Sequence, residues 1–361
     1  MPHPTALCIA PEQGKCMAKL VDDTSAISRP PTTLEKFCDV FFRSLAYTFA
    51  WLTVALVVFI VYQIAVPARP ALQKYGLSFI WGTTWDQNEN VYGILPQIWG
   101  TFYSSLLAVA LGSIMGLSVA IFLSERFLST SVFQLLKLFG LQFHPFWKRL
   151  PDGLDGLLKN LVELLAAIPS VVYGLWGVCV IVPMIRPGCD WLHDTFKAIP
   201  FFSTTLGSGG MLPAAIVLAI MIVPTVSAIS RDALVSVPPK LREAAYGLGA
   251  TRWEAMFAVI LPTAKIGIFG SILLAFGRAL GETMALAMLV GGRNVISTSL
   301  FSPADTLAAL LASSFPEAGT NVDLVGALMY AALVLLAITL IVNLLGALIL
   351  QSSSRERKGG R

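Results

Sequence analysis

Long apolar runs separated by shorter polar segments dominate this chain. Six of them reach the roughly 20 residues that a helix needs to cross a membrane core: Val40–Val66, Gln97–Leu123, Leu158–Ile185, Met211–Ser230, Lys265–Val290 and Leu324–Leu350. The pattern predicts an all-α, polytopic membrane protein with six transmembrane helices. A tail over residues 1–39 precedes the membrane domain at 40–350, and a short basic tail, 351–361, follows it. The segment from Met1 to about Leu34 holds Pro2, Pro4, Pro11, Pro30 and Pro31 and has no apolar core. It reads as a mostly disordered tail, neither a secretory signal nor a span.

Composition agrees. Hydrophobic residues make up 56% of the chain and charged residues 13%, about half the charged share of a soluble domain. The charges matter more by position than by number. Nineteen Lys and Arg residues fall in the tails and the loops at 124–159 and 231–264 or, as Arg43 and Lys265 do, at the span ends beside them, and five fall in the alternate loops. Basic residues accumulate on the cytoplasmic side, so both termini and the 231–264 loop are expected there. The net charge of +4 then reports topology and contact with anionic headgroups, with no nucleic acid implied. Five scattered cysteines contain no CxxC pair, although a Cys179–Cys189 bridge at the outer face is conceivable. His3, His144 and His193 lie in three different segments and make no metal site.

Within the spans, Gly112 and Gly116 form a small-xxx-small pair suited to close helix packing. Trp81, Trp85, Trp99, Tyr75, Tyr92 and Tyr103 lie in or beside the 67–96 loop, where an interfacial belt or a docking surface both fit. The 124–159 loop is too apolar to be free; it reads as a surface-lying helix or as a segment packed under the bundle. Pro169 removes an amide donor and disfavours helix at Ile168, so the third span should kink or break there. A break would aim a half-helix N-terminus, opened by Ser170, at an anion. Pro224 invites the same question in the fourth span. Gly207 to Gly210 reads as a flexible outer turn, and Asp305, Glu317 and Asp323 as solvated outer residues.

Two constellations carry chemistry. Arg278 falls near the middle of the fifth span and Glu282 four residues later, flanked by Gly277 and Gly281. On a continuous helix these side chains share a face, and at 4 Å their attraction of about 4 kcal/mol is comparable to the insertion cost of the arginine. A guanidinium suits tetrahedral oxyanions; the other reading is a structural salt bridge. Glu163, near the inner end of the third span, reads as snorkelling or as touching the cytoplasmic loops. The second constellation is Arg242-Glu243-Ala244-Ala245 with Gly249, followed by Ile260-Leu261-Pro262. A short helix with small residues, closed by a left-handed glycine, suits docking on another protein.

Three stretches resemble the permeases of phosphate-specific (Pst) ABC importers: Ile168-Pro-Ser-Val-Val-Tyr-Gly-Leu-Trp-Gly177, Pro238-Pro-Lys-Leu-Arg-Glu-Ala-Ala-Tyr-Gly-Leu-Gly-Ala-Thr-Arg-Trp-Glu254 and Gly277-Arg-Ala-Leu-Gly-Glu-Thr-Met-Ala285. The entry Tyr92-Gly-Ile-Leu-Pro-Gln-Ile-Trp-Gly-Thr101 and Met284 are similar to the PstC rather than the PstA type. The likeness covers about residues 40–350 and departs at the 124–159 loop and the long N-terminal tail. It implies a type I importer (MetI-like) architecture, multi-pass in the inner membrane, and a non-enzymatic subunit. The implied partners are a PstA-like permease, a PstB-like ATPase dimer that binds ATP and magnesium, and a periplasmic PstS-like phosphate-binding protein. Arg278, Gly281, Glu282, Thr283 and Ser170 would line the substrate path. Arg242, Glu243, Ala244, Ala245 and Gly249 would couple to the ATPase. The chain has no GxxxxGK[ST], HExxH or GxSxG motif of its own. Two rivals stay open: a permease for molybdate, sulfate or phosphonate, and an ion-driven secondary transporter with Glu282 as proton carrier.

Overall fold

A computed structural model describes residues 32–125, 145–319 and 321–359. The sequence expectations for residues 1–31 and for 126–144 lie outside the described residues. The elements in chain order are α1 (Thr33–Tyr75), α2 (Ser78–Trp81), β1 (Trp85–Asp86), β2 (Val91–Tyr92), α3 (Leu95–Ser124), α4 (Pro145–Ala167), α5 (Ser170–Phe196), α6 (Met211–Val235), α7 (Pro239–Gly247), α8 (Arg252–Leu280), α9 (Met284–Leu289), α10 (Leu307–Ser314) and α11 (Val322–Gly359). A π-turn interrupts α5 at Gly177–Ile181 and α8 at Met256–Ile260. Helices α1, α3, α5, α6, α8 and α11 are long and apolar enough to cross a membrane.

Residues up to Tyr62 form one unit and Gln63–Arg361 another. In the first, the large apolar side chains of α1 are mostly exposed, from Leu34 to Tyr62, as expected of a helix whose surroundings are lipid or protein. Helix α1 begins at Thr33, not near residue 40, and α11 carries helix through Gly359.

The second unit is built around α6, whose apolar window is the most buried of the six. Gly112 and Gly116 of α3 lie against it: a Cβ on Gly112 would come within 2.6 Å of Ile222, and one on Gly116 within 2.7 Å of Val226. The small-xxx-small pair therefore serves helix packing. Helix α8 lies on another side of α6, where the Ser230 and Ser271 hydroxyls are 2.7 Å apart and a Cβ on Gly267 would meet Ala233. Pro224 does not break α6. Cys179 and Cys189 are both free; ten residues of α5 separate them by about 15 Å at 1.5 Å per residue, too far for a bridge.

The outer loops are more ordered than their composition implies. Tyr75, Trp85 and Tyr92 pack into a core with Phe79 and Tyr330, while Trp81 stays exposed. Gly209 and Gly210 are not a flexible turn. A Cβ on Gly209 would come 2.5 Å from the Leu289 carbonyl oxygen, and the Gly210 amide donates to that same oxygen at 2.8 Å. The loop joining α9 to α10 is strapped to α3: Gln97 Nε2 donates to Asn294 Oδ1, Trp99 Nε1 to the Ser297 carbonyl and the Tyr103 hydroxyl to the Thr298 carbonyl.

Asp305, expected in solvent, is buried in this loop. Glu317 is exposed, and Asp323 pairs with Lys74 at 2.8 Å. Burial raises the Asp305 carboxyl from an ordinary 3.8 to about 6, despite hydrogen bonds from the Thr306 amide and the Gln97 side chain that favour its charged form. The fold holds this proton more tightly than the unfolded chain does. Stability from this group is therefore greatest below pH 4, falls as pH rises from about 4 to 6, and stays lower above 6. Asp305→Asn should remove that slope and stabilise the protein at pH 7.5 by up to about 3 kcal/mol. Thermal unfolding in detergent at pH 4.5 and 7.5 measures both.

Candidate functional site

The third and fifth spans, continuous in hydropathy, are both broken. Helix α4 ends at Ala167, Pro169 is extended at φ −59° and ψ 141°, and α5 starts afresh at Ser170. The third crossing is therefore α5, Ser170–Phe196, and not Leu158–Ile185. The Tyr173 hydroxyl donates to the Leu165 carbonyl at 2.8 Å, satisfying one of the acceptors that a helix end leaves open. Helix α8 ends at Leu280. The Gly281 amide turns back to the Arg278 carbonyl and the Glu282 amide to the Ala279 carbonyl, the tighter i→i−3 bonding of a terminating helix. The Thr283 hydroxyl bonds the Gly281 carbonyl at 3.1 Å, and α9 then begins.

The pieces that follow the two breaks pack side by side. A Cβ on Gly174 of α5 would meet the Met288 sulfur at 2.8 Å and the Ala285 Cα at 3.1 Å. The breaks at Ala167–Ser170 and Gly281–Thr283 thus open onto neighbouring helices. Ser170 is half-buried at the start of α5, at the positive end of its helix dipole. Arg278 occupies the last turn of α8, where unpaired carbonyls favour a cation. Its Nη1 donates to Thr225 Oγ1 of α6 at 3.2 Å. The guanidinium is exposed, with most of its donors available.

The expected Arg278–Glu282 pair does not form. Ion pairs among the described residues include Lys74–Asp323, Lys159–Glu163, Arg231–Asp232 and Arg242–Glu125, and Arg278 and Glu282 are not joined. The i,i+4 argument assumed helix through residue 282, and the backbone leaves it at Gly281. Glu282 and Thr283 are half-buried in the break and Gly281 is exposed. Thr225, one residue after Pro224, is a site residue that sequence reasoning missed. Its only signal was a hydroxyl within an apolar span. Glu163 lies on α4, which packs on α6. Together with Lys159, Arg231 and Asp232 it lines a cleft of about 80 Å³.

At the other end of α6 and α8 stands the short helix α7. It closes with Gly249 at φ +87°, where the Ala250 amide bonds the Ala245 carbonyl and the Gly249 amide the Tyr246 carbonyl. This is the Schellman closure that favours glycine at that position. Glu243 and Ala244 face outward, with Leu248 90% exposed. Ala245 and Arg242 do not belong to that surface. Ala245 is buried, and Arg242 turns inward to the Glu125 carboxylate at 3.0 Å and the Leu234 carbonyl at 2.8 Å.

Comparison with known proteins is consistent with this geometry. Residues 149–355 match the family of binding-protein-dependent transport system inner membrane components. The phosphate transport system permease protein PstC of Xylella fastidiosa (strain Temecula1 / ATCC 700964) is 35% identical over 322 residues, covering 86% of this chain and 92% of the relative. The PstC protein of Haemophilus influenzae is 35% identical over 323 residues, 88% and 94% of the two chains. A probable PstC protein of Methanocaldococcus jannaschii is 31% identical over 285 residues, 77% and 83%. Among solved structures, a chain of a bacterial alginate ABC transporter, crystallised with its pentasaccharide-bound periplasmic protein, superposes with a TM-score of 0.53. It is 16% identical and covers 86% of this chain and 95% of its own. At that identity the likeness concerns the fold alone.

Proposed function

The chain belongs to the PstC permeases of binding-protein-dependent transport systems, and on that premise we propose that the Arg278 break is the point where phosphate crosses its half of the path. It is a permease subunit of a phosphate ABC importer, multi-pass in the inner membrane, and works in a complex with an ATPase and a binding protein. One observation supports the path reading above others: an exposed guanidinium, held by Thr225 and unpaired with Glu282, where two helices are interrupted side by side. A forked donor on an open helix end can take two oxygens of a tetrahedral anion. An aqueous path also accounts for irregular backbone at membrane depth. Among the described residues Arg278 makes one hydrogen bond, at 3.2 Å, which leaves its other donors for an anion.

The second permease is PstA-like, the ATPase dimer PstB-like and the outer binding protein PstS-like. ATP and magnesium are bound by the ATPase, and none by this chain. Both termini and α7 face the cytoplasm, as the basic residues of the tails and the 231–264 loop indicate. The ATPase seats against Glu243, Ala244 and Leu248. Helices α6 and α8 both run from this seat to Arg278, so movement of the seat changes the geometry of the path. The test is competition: the four-component complex in vesicles should import labelled phosphate in the presence of excess sulfate or molybdate. Equal displacement by those anions would assign the path to another oxyanion.

A further inference from the structure

The inward face of helix α7 carries buried Ala245 and, among the described residues, one side chain that makes polar contacts with the membrane body, Arg242. Arg242 gives Nη1 to Glu125 Oε1 at 3.0 Å and Nη2 to the Leu234 carbonyl at 2.8 Å. The Glu125 side chain is 7% exposed and that of Arg242 22%, so the pair is largely withdrawn from water. Glu125 caps the C-terminus of α3, and its amide bonds the Ile121 carbonyl. Leu234, fully buried, lies in the last turn of α6. One guanidinium therefore joins three elements, at two helix C-termini whose dipoles both attract it. A carboxylate this buried, left without its arginine, is strongly penalised, so the three ends are held to one arrangement.

The joint that Arg242 spans interrupts the helix, although Val237 is buried there and the Ser236 and Val237 amides bond back to Asp232 and Leu234. Between α6 and α7 the chain passes through Ser236, Val237 and Pro238, and Pro238 contributes no amide. Without the cross-link, a force on the outer face of α7 could be absorbed by bending there. With it, the force enters α6 at Leu234. Nine residues back along α6, about 13 Å at 1.5 Å per residue, Thr225 accepts the Arg278 hydrogen bond. Between those points the Ser230–Ser271 bond and the Gly267–Ala233 contact hold α6 to α8.

We propose that Arg242 is a positioning residue of the transport cycle, its guanidinium locking α7 to the ends of α3 and α6 so that displacement of α7 reaches the Thr225–Arg278 pair. This rests on the reading that the ATPase seats on the outer face of α7, around Glu243. Arg242 itself makes no contact with the ATPase. It converts movement of the seat into movement of the path.

The experiment uses the assembled complex in proteoliposomes and measures three quantities: ATPase retained on purification, ATP hydrolysis, and phosphate imported per ATP hydrolysed. Arg242→Gln and the isosteric Glu125→Gln should each keep the ATPase bound and hydrolysis running, while phosphate per ATP falls about ten-fold. Arg242→Lys, which keeps the charge but cannot serve Glu125 and Leu234 together, should recover only part of the loss. The exchange Arg242→Glu with Glu125→Arg should restore more than either single change. Unchanged phosphate per ATP in both glutamine variants would overturn the proposal. So would loss of the ATPase from Arg242→Gln but not from Glu125→Gln, which would make Arg242 a docking residue. Retention of the ATPase by Glu243→Arg would instead refute the seat on which the proposal rests. Should Arg242→Gln fail to assemble, Glu125→Gln carries the same comparison.

Discussion

Arg278→Gln should lower ATP-driven phosphate uptake about 10–100-fold, the effect of removing a charge-assisted interaction of some 1.5–3 kcal/mol with an anion. The fall should appear in the maximal rate more than in the apparent affinity, which the outer binding protein sets. The variant should assemble normally, because Arg278 has no ion-pair partner among the described residues to leave stranded and its one side-chain bond is to Thr225. Glutamine keeps the helix-forming tendency of this last turn of α8 and can still donate to the hydroxyl, so the change isolates the charge. Arg278→Lys should recover part of the rate, since an ammonium supplies the charge without the two-pronged fork. Uptake of labelled phosphate by the reconstituted complex, normalised to assembled protein, makes the measurement. A normal rate in Arg278→Gln would move the path away from the α8–α9 break.

The second large effect is expected at α7. Glu243→Arg should reduce recovery of the ATPase with the permease at least 30-fold, corresponding to the 2 kcal/mol or more of an interface hot spot. Glu243 is exposed, and further along the same α7–α8 segment so are Leu248 at 90%, Trp253 at 53% and Phe257 at 56%. An exposed acid with exposed apolar side chains on the same segment, on a helix end fixed by Gly249, suits a protein partner. Charge reversal leaves the inward contacts of Ala245 and Arg242 untouched, so α7 should remain folded. Leu248→Glu should act in the same direction through lost apolar contact. Quantifying the ATPase that remains bound to tagged permease separates these outcomes, and full recovery with both variants would place the seat elsewhere.

Much of the fold was legible in the chain because a membrane span is a composition signal, and twenty consecutive apolar residues leave few alternatives. Gly112 and Gly116 announced close helix packing, and Gly249 a left-handed helix end, since glycine answers a specific steric demand in both places. The breaks were harder. Hydropathy stays high through Met284–Val290, so one glycine and one threonine do not register against it, and the fifth span looked continuous. The leucines of α4 similarly merged with α5 into one apparent crossing, although Pro169 correctly marked the joint. Burial of Asp305 depends on α3 folding over a distant loop, which no local pattern records. Arg242 beside Glu243 reads naturally as a second docking residue; only tertiary placement shows it facing Glu125. Thr225 became visible as a site residue only when α6 and α8 were brought together.

The central claim is that this chain is a passive conduit driven through α7 by an ATPase on another polypeptide. The most direct measurement is phosphate uptake by vesicles containing the permease pair with binding protein outside, with and without the ATPase and internal ATP. Uptake should require both the ATPase and ATP, and an imposed proton or sodium gradient should not replace them. Phosphate accumulation driven by such a gradient in vesicles lacking the ATPase would contradict the account.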